Sequence, residues 1–163
     1  MALKNFVARE PRPLPIFILA DTSGSMRGEK IDELNFVRVT ASGKKIGFVP
    51  SDRTFVGSNP NLTILQLLTV YHTDYSQKRL VEYAQKIIAK ADVDIKVTEK
   101  AASLSGGMLQ RLLLQREIAE KPSVLYLCEP RQGLDINAIE YLFSVVRKLV
   151  QQGVQVIVQE AAS

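Results

Sequence analysis

Short apolar runs alternate with helix-like segments along this chain of 163 residues. Four runs are the predicted strands: Leu14–Ala20, Ile46–Val49, Val124–Leu127 and Val154–Val158. Their nearly continuous apolar character is typical of strands that are buried on both faces of a parallel sheet. We therefore predict an α/β fold of three layers, in which a mostly parallel sheet carries helices on both faces.

Helix-like segments fill the intervals between these runs. Lys78–Ala91 places apolar residues at the three-to-four spacing of an amphipathic helix. Similar segments cover Glu29–Val39, Gly106–Glu120 and Asn137–Gln152, with a short helix expected after Pro60. The stretch of about 59–120 is predicted to form a small helical subdomain.

Composition excludes some classes of protein. The net charge is +4 and the basic residues are scattered, which gives no support to nucleic-acid binding. No apolar run reaches the ~18 residues that a membrane span needs, so we do not expect the chain itself to span a membrane. Cys128 is the single cysteine, which rules out an intrachain disulfide and fits a reducing compartment such as the cytoplasm.

Three short motifs follow one another in the second half of the chain. Leu104-Ser105-Gly106-Gly107 opens a helix, Cys128-Glu129-Pro130 ends a strand, and Gly133-Leu134-Asp135 lies shortly beyond it. A Ser-Gly-Gly turn at a helix start presents free backbone N–H groups and a hydroxyl, which suit a phosphate. A carboxylate beside that phosphate can orient water or a metal ion. The order of the motifs indicates nucleotide handling.

In this order the motifs resemble the ABC-transporter ATPase family over residues 104–135. The segments Ile46–Arg53 and Gly133–Glu140 resemble the second ATPase half of sugar and nucleoside importers, and the likeness covers roughly residues 44–160. The resemblance implies an ATP-binding domain, with Mg²⁺ as its cofactor, at the inner face of a membrane. It also implies two kinds of partner, which are a second ATPase subunit or half and transmembrane transporter subunits.

The resemblance assigns roles to individual residues. Glu129 would be the general base that polarises the attacking water. Five positions would contact nucleotide: Ser105, Gly106, Gly107, Gln110 and Asp135. The alternative readings are ordinary ones, since a serine before Gly-Gly is also a common helix cap and a carboxylate at a strand end is often simply solvated.

The sequence departs from the family pattern at several points. It contains no Gly-x-x-x-x-Gly-Lys-Ser/Thr phosphate loop, and Cys128 replaces the aspartate that positions magnesium. The family's histidine after the last strand should fall near Gln159 or Glu160, where no histidine is present. The single histidine, His72, is expected to be exposed. We therefore expect the isolated chain to hydrolyse ATP poorly or not at all.

A different motif lies near the N-terminus. Asp21, Ser23 and Ser25 follow an apolar run and resemble, over roughly 14–35, the metal-ion-dependent adhesion motif of von Willebrand A domains. Their oxygens suit a divalent cation, although an Asx-turn is the simpler reading. The predicted division is therefore a lead-in at 1–13, this segment at 14–40 and an ATPase-like segment at 41–163, sharing one sheet. Three interpretations stay open: an ATPase domain or fragment, a metal-dependent binding module, and an inactive chimera.

Overall fold

Four parallel strands form one sheet in the computed structural model, which describes residues 16–21 and 45–161. The strands are β1 (Ile16–Asp21), β2 (Ile46–Val49), β3 (Val124–Cys128) and β4 (Gln155–Ala161). Their order across the sheet is β1-β4-β3-β2, and each neighbouring pair is parallel. Because the strands run in one direction, the loops that follow them all leave from the same edge of the sheet.

The helices of the described residues are α1 (Ile64–Leu68), α2 (Gln77–Ala91), α3 (Gly106–Ala119) and α4 (Ile136–Gln151). A 3₁₀ turn over Ala101–Ser103 precedes α3. A side-chain oxygen caps the start of each α-helix by accepting a backbone N–H from its first turn. The capping residues, in chain order, are Thr63, Ser76, Ser105 and Asp135.

One apolar core joins the helices to one face of the sheet. Leu112 and Leu113 of α3 are fully buried in this core, where Leu142 of α4 also lies. Alternate residues of the strands supply the sheet side of the core: Val49, Leu125, Leu127, Val156 and Val158. The helical subdomain, formed by α1, α2 and α3, packs its buried side chains into the same core.

The opposite face of the sheet carries a smaller cluster. Phe48, Tyr126 and Cys128 are buried there, and Ile157 packs against them. The rings of Phe48 and Tyr126 lie 5.7 Å apart between centroids, in a tilted arrangement. Alternation along β2, β3 and β4 places these side chains away from the helices of the main core.

Glycine at position 47 allows α3 to lie close to β2. A Cβ atom at this position would come within 2.9 Å of the Leu125 side chain and 3.4 Å of the Cβ of Glu117. A larger residue would therefore force the Leu125 side chain to shift and would leave little room beside α3.

The predicted α/β class with a parallel sheet is confirmed. Strand β2 has the predicted bounds, and α2, α3 and α4 begin and end within one residue of the predicted helices. Helix α1 is the short helix expected after Pro60, and it occupies five residues. The predicted helix over Glu29–Val39 lies outside the described residues. Strand β1 belongs to the same sheet as the other strands, while the division into segments at 1–13, 14–40 and 41–163 stays a prediction.

Candidate functional site

The site begins at the N-terminus of α3. Ser105 is exposed, has extended backbone angles and caps the helix, because its hydroxyl accepts the N–H of Met108 at 3.2 Å. The amides of Gly106 and Gly107 belong to the first helical turn, whose N–H groups have no acceptor within the helix. A Cβ at position 106 would meet no atom within 4 Å, so the turn is open on that side.

The loop after β3 brings Glu129 to this edge of the sheet. Glu129 is 9% exposed and has a left-handed backbone, with φ at 44°. This conformation is uncommon for a residue with a side chain and costs energy unless neighbours hold it. One such neighbour is β4, since the N–H of Glu129 donates to the carbonyl oxygen of Gln159 at 2.6 Å.

Two side chains from distant parts of the chain hold the rest of this loop. Gln110 of α3 is buried, and its Nε2 donates to the carbonyl oxygen of Pro130 at 2.5 Å. Arg53, from the turn after β2, donates from Nη2 to the carbonyl oxygen of Gln132 at 2.6 Å. The loop that carries Glu129 is therefore attached both to α3 and to the turn after β2.

Asp135 closes the loop and starts α4. Its carboxylate accepts the N–H of Ala138 at 2.8 Å, and the residue is exposed. A Cβ at Gly107 would lie 3.4 Å from the Cβ of Ala138, so the starts of α3 and α4 are in close proximity. The structure thus brings together the Ser-Gly-Gly turn and the loop from Glu129 to Asp135, as the sequence predicts. Whether these residues contact nucleotide stays a prediction.

The position that the family gives to a magnesium-binding aspartate does not suit magnesium here. Cys128 is 2% exposed and packs with Phe48 and Tyr126. A thiol is a poor ligand for a hard cation that prefers oxygen. Across residues 16–21 and 45–161, no group of three or more His, Cys, Asp or Glu side chains is arranged to hold a metal ion.

The predicted adhesion-like metal site lies largely outside the described residues. Asp21 ends β1 and pairs in register with Ala161 of β4. Its side chain, together with Ser23 and Ser25, lies outside what the structure describes. The metal assignment therefore stays a prediction.

The positions expected for the family's histidine carry two other polar side chains. Gln159 is 4% exposed, and its Oε1 accepts the hydroxyl of Tyr126. Glu160 forms an ion pair with Arg131, with 2.9 Å between Oε1 and Nε. Both contacts tie β4 to neighbouring strand and loop residues.

The opposite end of α3 carries a second group of polar side chains. Glu117 is fully buried; its Oε1 accepts the N–H of Phe48 at 3.1 Å, and its Oε2 accepts the hydroxyl of Tyr71 at 2.8 Å. One turn later, Glu120 Oε2 lies 2.7 Å from His72 Nε2 and accepts the hydroxyl of Tyr83 at 2.6 Å. A cleft of about 130 Å³ adjoins both carboxylates.

The expectation that His72 is exposed is therefore wrong. Its side chain is 16% exposed and stacks on Tyr75, with 4.3 Å between ring centroids. Burial alone would raise the pKa of Glu120, but the hydrogen bonds from Tyr83 and His72 outweigh it, so that this pKa lies below its ordinary value. Burial and the neighbouring Glu120 raise the pKa of Tyr83.

Sequence reasoning missed Arg53 as a residue of the site. Its turn was recognised only by resemblance to importer sequences, and its partner Gln132 lies 79 positions away along the chain. The signal that was available is an arginine in the turn after β2, a strand whose C-terminal end lies on the same side of the sheet as Glu129. Such a residue can reach the loop of a neighbouring parallel strand.

Comparison with known proteins gives a consistent result. Residues 10–132 match the sequence pattern of the family described as ABC transporter. The chain is 32% identical to a probable riboflavin import ATP-binding protein of Treponema pallidum, over 66% of this chain and 19% of that protein. It is 30% identical to a ribose import ATP-binding protein of Shouchella clausii, over 93% of this chain and 36% of that protein.

A solved structure supports the fold. The structure, described as a dimeric bacterial ABC transporter cassette, aligns with a TM-score of 0.62 at 26% identity, over 79% of this chain and 56% of that one.

The chain spans about a fifth to a third of the length of the curated relatives named above. The matched region 10–132 includes residues 14–35, and no comparison supports the von Willebrand A resemblance there. None of the helices in the described part of the chain has the length and apolar character needed to cross a bilayer.

Proposed function

The chain belongs to the ABC transporter family, and from this premise we propose that it is an ATP-binding component of an importer for sugars or nucleosides. In this role it contributes the turn at Ser105, Gly106 and Gly107 to a nucleotide site that it shares with a second ATPase subunit. The ribose import protein among its relatives and the resemblance of Ile46–Arg53 to sugar and nucleoside importers support the substrate class.

The observation that carries this proposal is the convergence of three motifs at one sheet edge. The open turn at the start of α3 approaches Ala138 within 3.4 Å at Gly107, and Gln110 of the same helix donates to Pro130, next to Glu129. The start of α3 and the loop from Glu129 to Asp135 thereby lie together.

The chemistry of this surface suits the terminal phosphate of a nucleotide. The free N–H groups of the first turn of α3 and the positive end of its dipole attract an anion, and the hydroxyl of Ser105 adds a polar contact. Gly106 leaves the space around the turn open for a close approach of the phosphate. Glu129 would orient the attacking water, and Asp135 would support the loop at its far end.

The 163 residues contain no phosphate loop, and in this proposal the nucleotide site is shared between two subunits. The other phosphate contacts of a bound ATP would come from the partner ATPase subunit. Magnesium normally accompanies ATP in such sites, but Cys128 does not offer it the usual oxygen ligand. The proposed role of this chain is therefore confined to phosphate contact and orientation of water.

The proposal also names the assembly. The chain would act at the cytoplasmic face of a membrane, with a second ATPase subunit across the nucleotide and with transmembrane transporter subunits that carry the cargo. Nucleic acid is not a proposed partner, because the modest net charge of +4 is spread along the sequence.

ATP turnover and ATP binding by the isolated chain test this proposal. We expect turnover no faster than that of a Glu129→Gln variant, because the other half of the site is missing. We also expect weak ATP binding that a Ser105→Arg change abolishes by blocking the turn. The control is Ser103→Arg, since Ser103 is also exposed and lies just before the turn.

Two results would contradict the proposal. Turnover at the pace of an intact transporter would show that the chain has a complete site of its own. ATP binding that tolerates Ser105→Arg but is lost in Ser103→Arg would place the nucleotide elsewhere.

A further inference from the structure

Arg53 connects two loops that are far apart in sequence. It lies in the turn after β2, which is built on Asp52: the Asp52 carboxylate accepts the N–H of Phe55 at 3.0 Å, and its carbonyl oxygen accepts the N–H groups of Val56 and Gly57 at 3.2 and 3.0 Å. Because three hydrogen bonds fix this turn, the backbone of Arg53 has a defined position from which the side chain extends.

The guanidinium group of Arg53 reaches the middle of the loop that carries Glu129. Nη2 donates to the carbonyl oxygen of Gln132 at 2.6 Å. The same nitrogen is 3.8 Å from the position of a Cβ at Gly133, whose φ is +68°. A positive φ of this size favours glycine, so the loop turns sharply beside the guanidinium group.

The charge of Arg53 is not explained by an ion pair. Among the described residues, no carboxylate lies within ion-pair distance of the guanidinium group, and its Nη1 is buried without a hydrogen-bond partner. Burial also lowers the pKa of Arg53. Desolvating a charged group costs energy, and the contact that offsets this cost is the hydrogen bond to Gln132.

Three backbone groups of the loop are held by other elements, in addition to the ion pair between Arg131 and Glu160. The N–H of Glu129 donates to Gln159, the carbonyl oxygen of Pro130 accepts from Gln110, and that of Gln132 accepts from Arg53. The first two contacts come from β4 and α3, whereas Arg53 provides the contact from the β2 side. Arg53 thus attaches the loop to the turn after β2.

We propose that Arg53 is a positioning residue, which holds the loop from Glu129 to Asp135 in place through the carbonyl oxygen of Gln132. This inference rests on the proposed function in so far as Glu129 acts on a nucleotide. The attachment itself concerns the chain alone, so it can be measured without nucleotide.

Hydrogen–deuterium exchange of the full chain tests the proposal. We expect Arg53→Met to speed amide exchange in the peptide covering 129–135 about tenfold, the factor that corresponds to the loss of one hydrogen bond of a charged donor. Arg53→Lys should restore most of the protection, because lysine also supplies an N–H donor. The control is Arg79→Met, which removes an equal charge from the exposed surface of α2, where Arg79 lies over the Tyr75 ring.

Unchanged exchange in Arg53→Met, or an equal increase in Arg79→Met, would overturn the proposal. An equal loss of protection in Arg53→Lys and Arg53→Met would overturn it too, because it would show that an N–H donor at this position does not protect the loop. Exchange in the peptide covering 155–161 reports whether the sheet remains intact, so a general loss of folding is recognised. If ATP binding fails in the unmodified chain while the Arg53 result holds, the proposed function is wrong and the positioning role stands.

Discussion

The two ends of helix α3 differ in how many of their polar groups already have partners within the fold. At the C-terminal end, Glu117 is fully buried and accepts hydrogen bonds from Phe48 and Tyr71. At the N-terminal end, Ser105 is exposed and the space beside Gly106 is open. The comparison separates an end that stabilises the fold from an end that is left available for an external ligand.

The difference arises because the hydrogen-bonding groups at the two ends of α3 have different surroundings. Strand β2 is an outermost strand of the described sheet. The N–H of Phe48 would therefore be a buried donor without an acceptor if Glu117 were absent. The free N–H groups at the start of α3 face open space, where water or a phosphate can accept them. One end is therefore closed by the protein itself, and the other can be closed by a ligand.

The largest effect on stability is expected when the hydrogen bonds of Glu117 at the C-terminal end of α3 are removed. Glu117→Leu should lower the free energy of unfolding by about 3 kcal/mol, because it removes the acceptor of Phe48 and the carboxylate beside the buried Arg116. Chemical denaturation measures the change. The control is Glu82→Leu, which replaces an exposed glutamate on α2 and should change stability little. Equal effects of the two substitutions would mean that the hydrogen bonds of Glu117 contribute nothing specific.

The next effect concerns the contact that ties α3 to the loop of the site. Gln110→Leu should cost about 2 kcal/mol, because the carbonyl oxygen of the buried Pro130 loses its donor. Denaturation gives the cost, and faster amide exchange in residues 129–135 locates it. Gln85→Leu on the exposed surface of α2 serves as the matched control. If Gln110→Leu lowered the stability but left amide exchange in residues 129–135 unchanged, Gln110 would not be what attaches this loop to α3.

A smaller effect, dependent on pH, is expected at Tyr83. Tyr83→Phe removes a hydrogen bond to the Glu120 carboxylate and should cost about 1.5 kcal/mol at pH 7. Since the folded state lowers the pKa of Glu120, its contribution is present above the pKa of the unfolded chain and is lost as the pH falls through the folded pKa. The difference between the two proteins should therefore shrink below about pH 4, near the ordinary carboxyl pKa.

Unfolding curves at several pH values measure this dependence. Tyr75→Phe changes the neighbouring ring of the same aromatic group and serves as the control. A Tyr83→Phe effect that is constant from pH 7 to acid pH would show that the Glu120 carboxylate is not its partner.

The smallest effect is expected at the open end. Ser105→Ala should lower the free energy of unfolding by about 1 kcal/mol, the usual cost of removing a helix cap. Ser105→Asp should retain the cap, because its carboxylate can accept the N–H of Met108. If Ser105→Ala cost as much as Glu117→Leu, the contrast between the two ends would be wrong.

The regular elements of the fold could be predicted because their signals are local. The apolar run at Ile46–Val49 gave β2 with its observed bounds, and the spacing over Lys78–Ala91 gave α2 to within one residue. The short helix expected after Pro60 is α1, and the capping pair Thr63 and Gln66 sets its start.

The site could be predicted only in its outline. The order of motifs indicated that the turn at Ser105 and the loop at Glu129 would meet, and they do. The contact between Arg53 and Gln132 joins residues that lie 79 positions apart in the sequence, and no local sequence pattern predicts such a pair. His72 was wrongly expected to be exposed, because its burial depends on Tyr83 of α2 and on Glu120 at the end of α3.

Mapping ATP binding by NMR tests the central claim most directly. The backbone amide signals of the isotopically labelled chain are followed during a titration with ATP and magnesium. We expect the signals of Gly106 and Gly107 to shift, because a phosphate would accept their N–H groups, while those of Tyr71 and Glu120 at the closed end stay unchanged. Unshifted signals at Gly106 and Gly107, or larger shifts at Tyr71 and Glu120, would contradict the account.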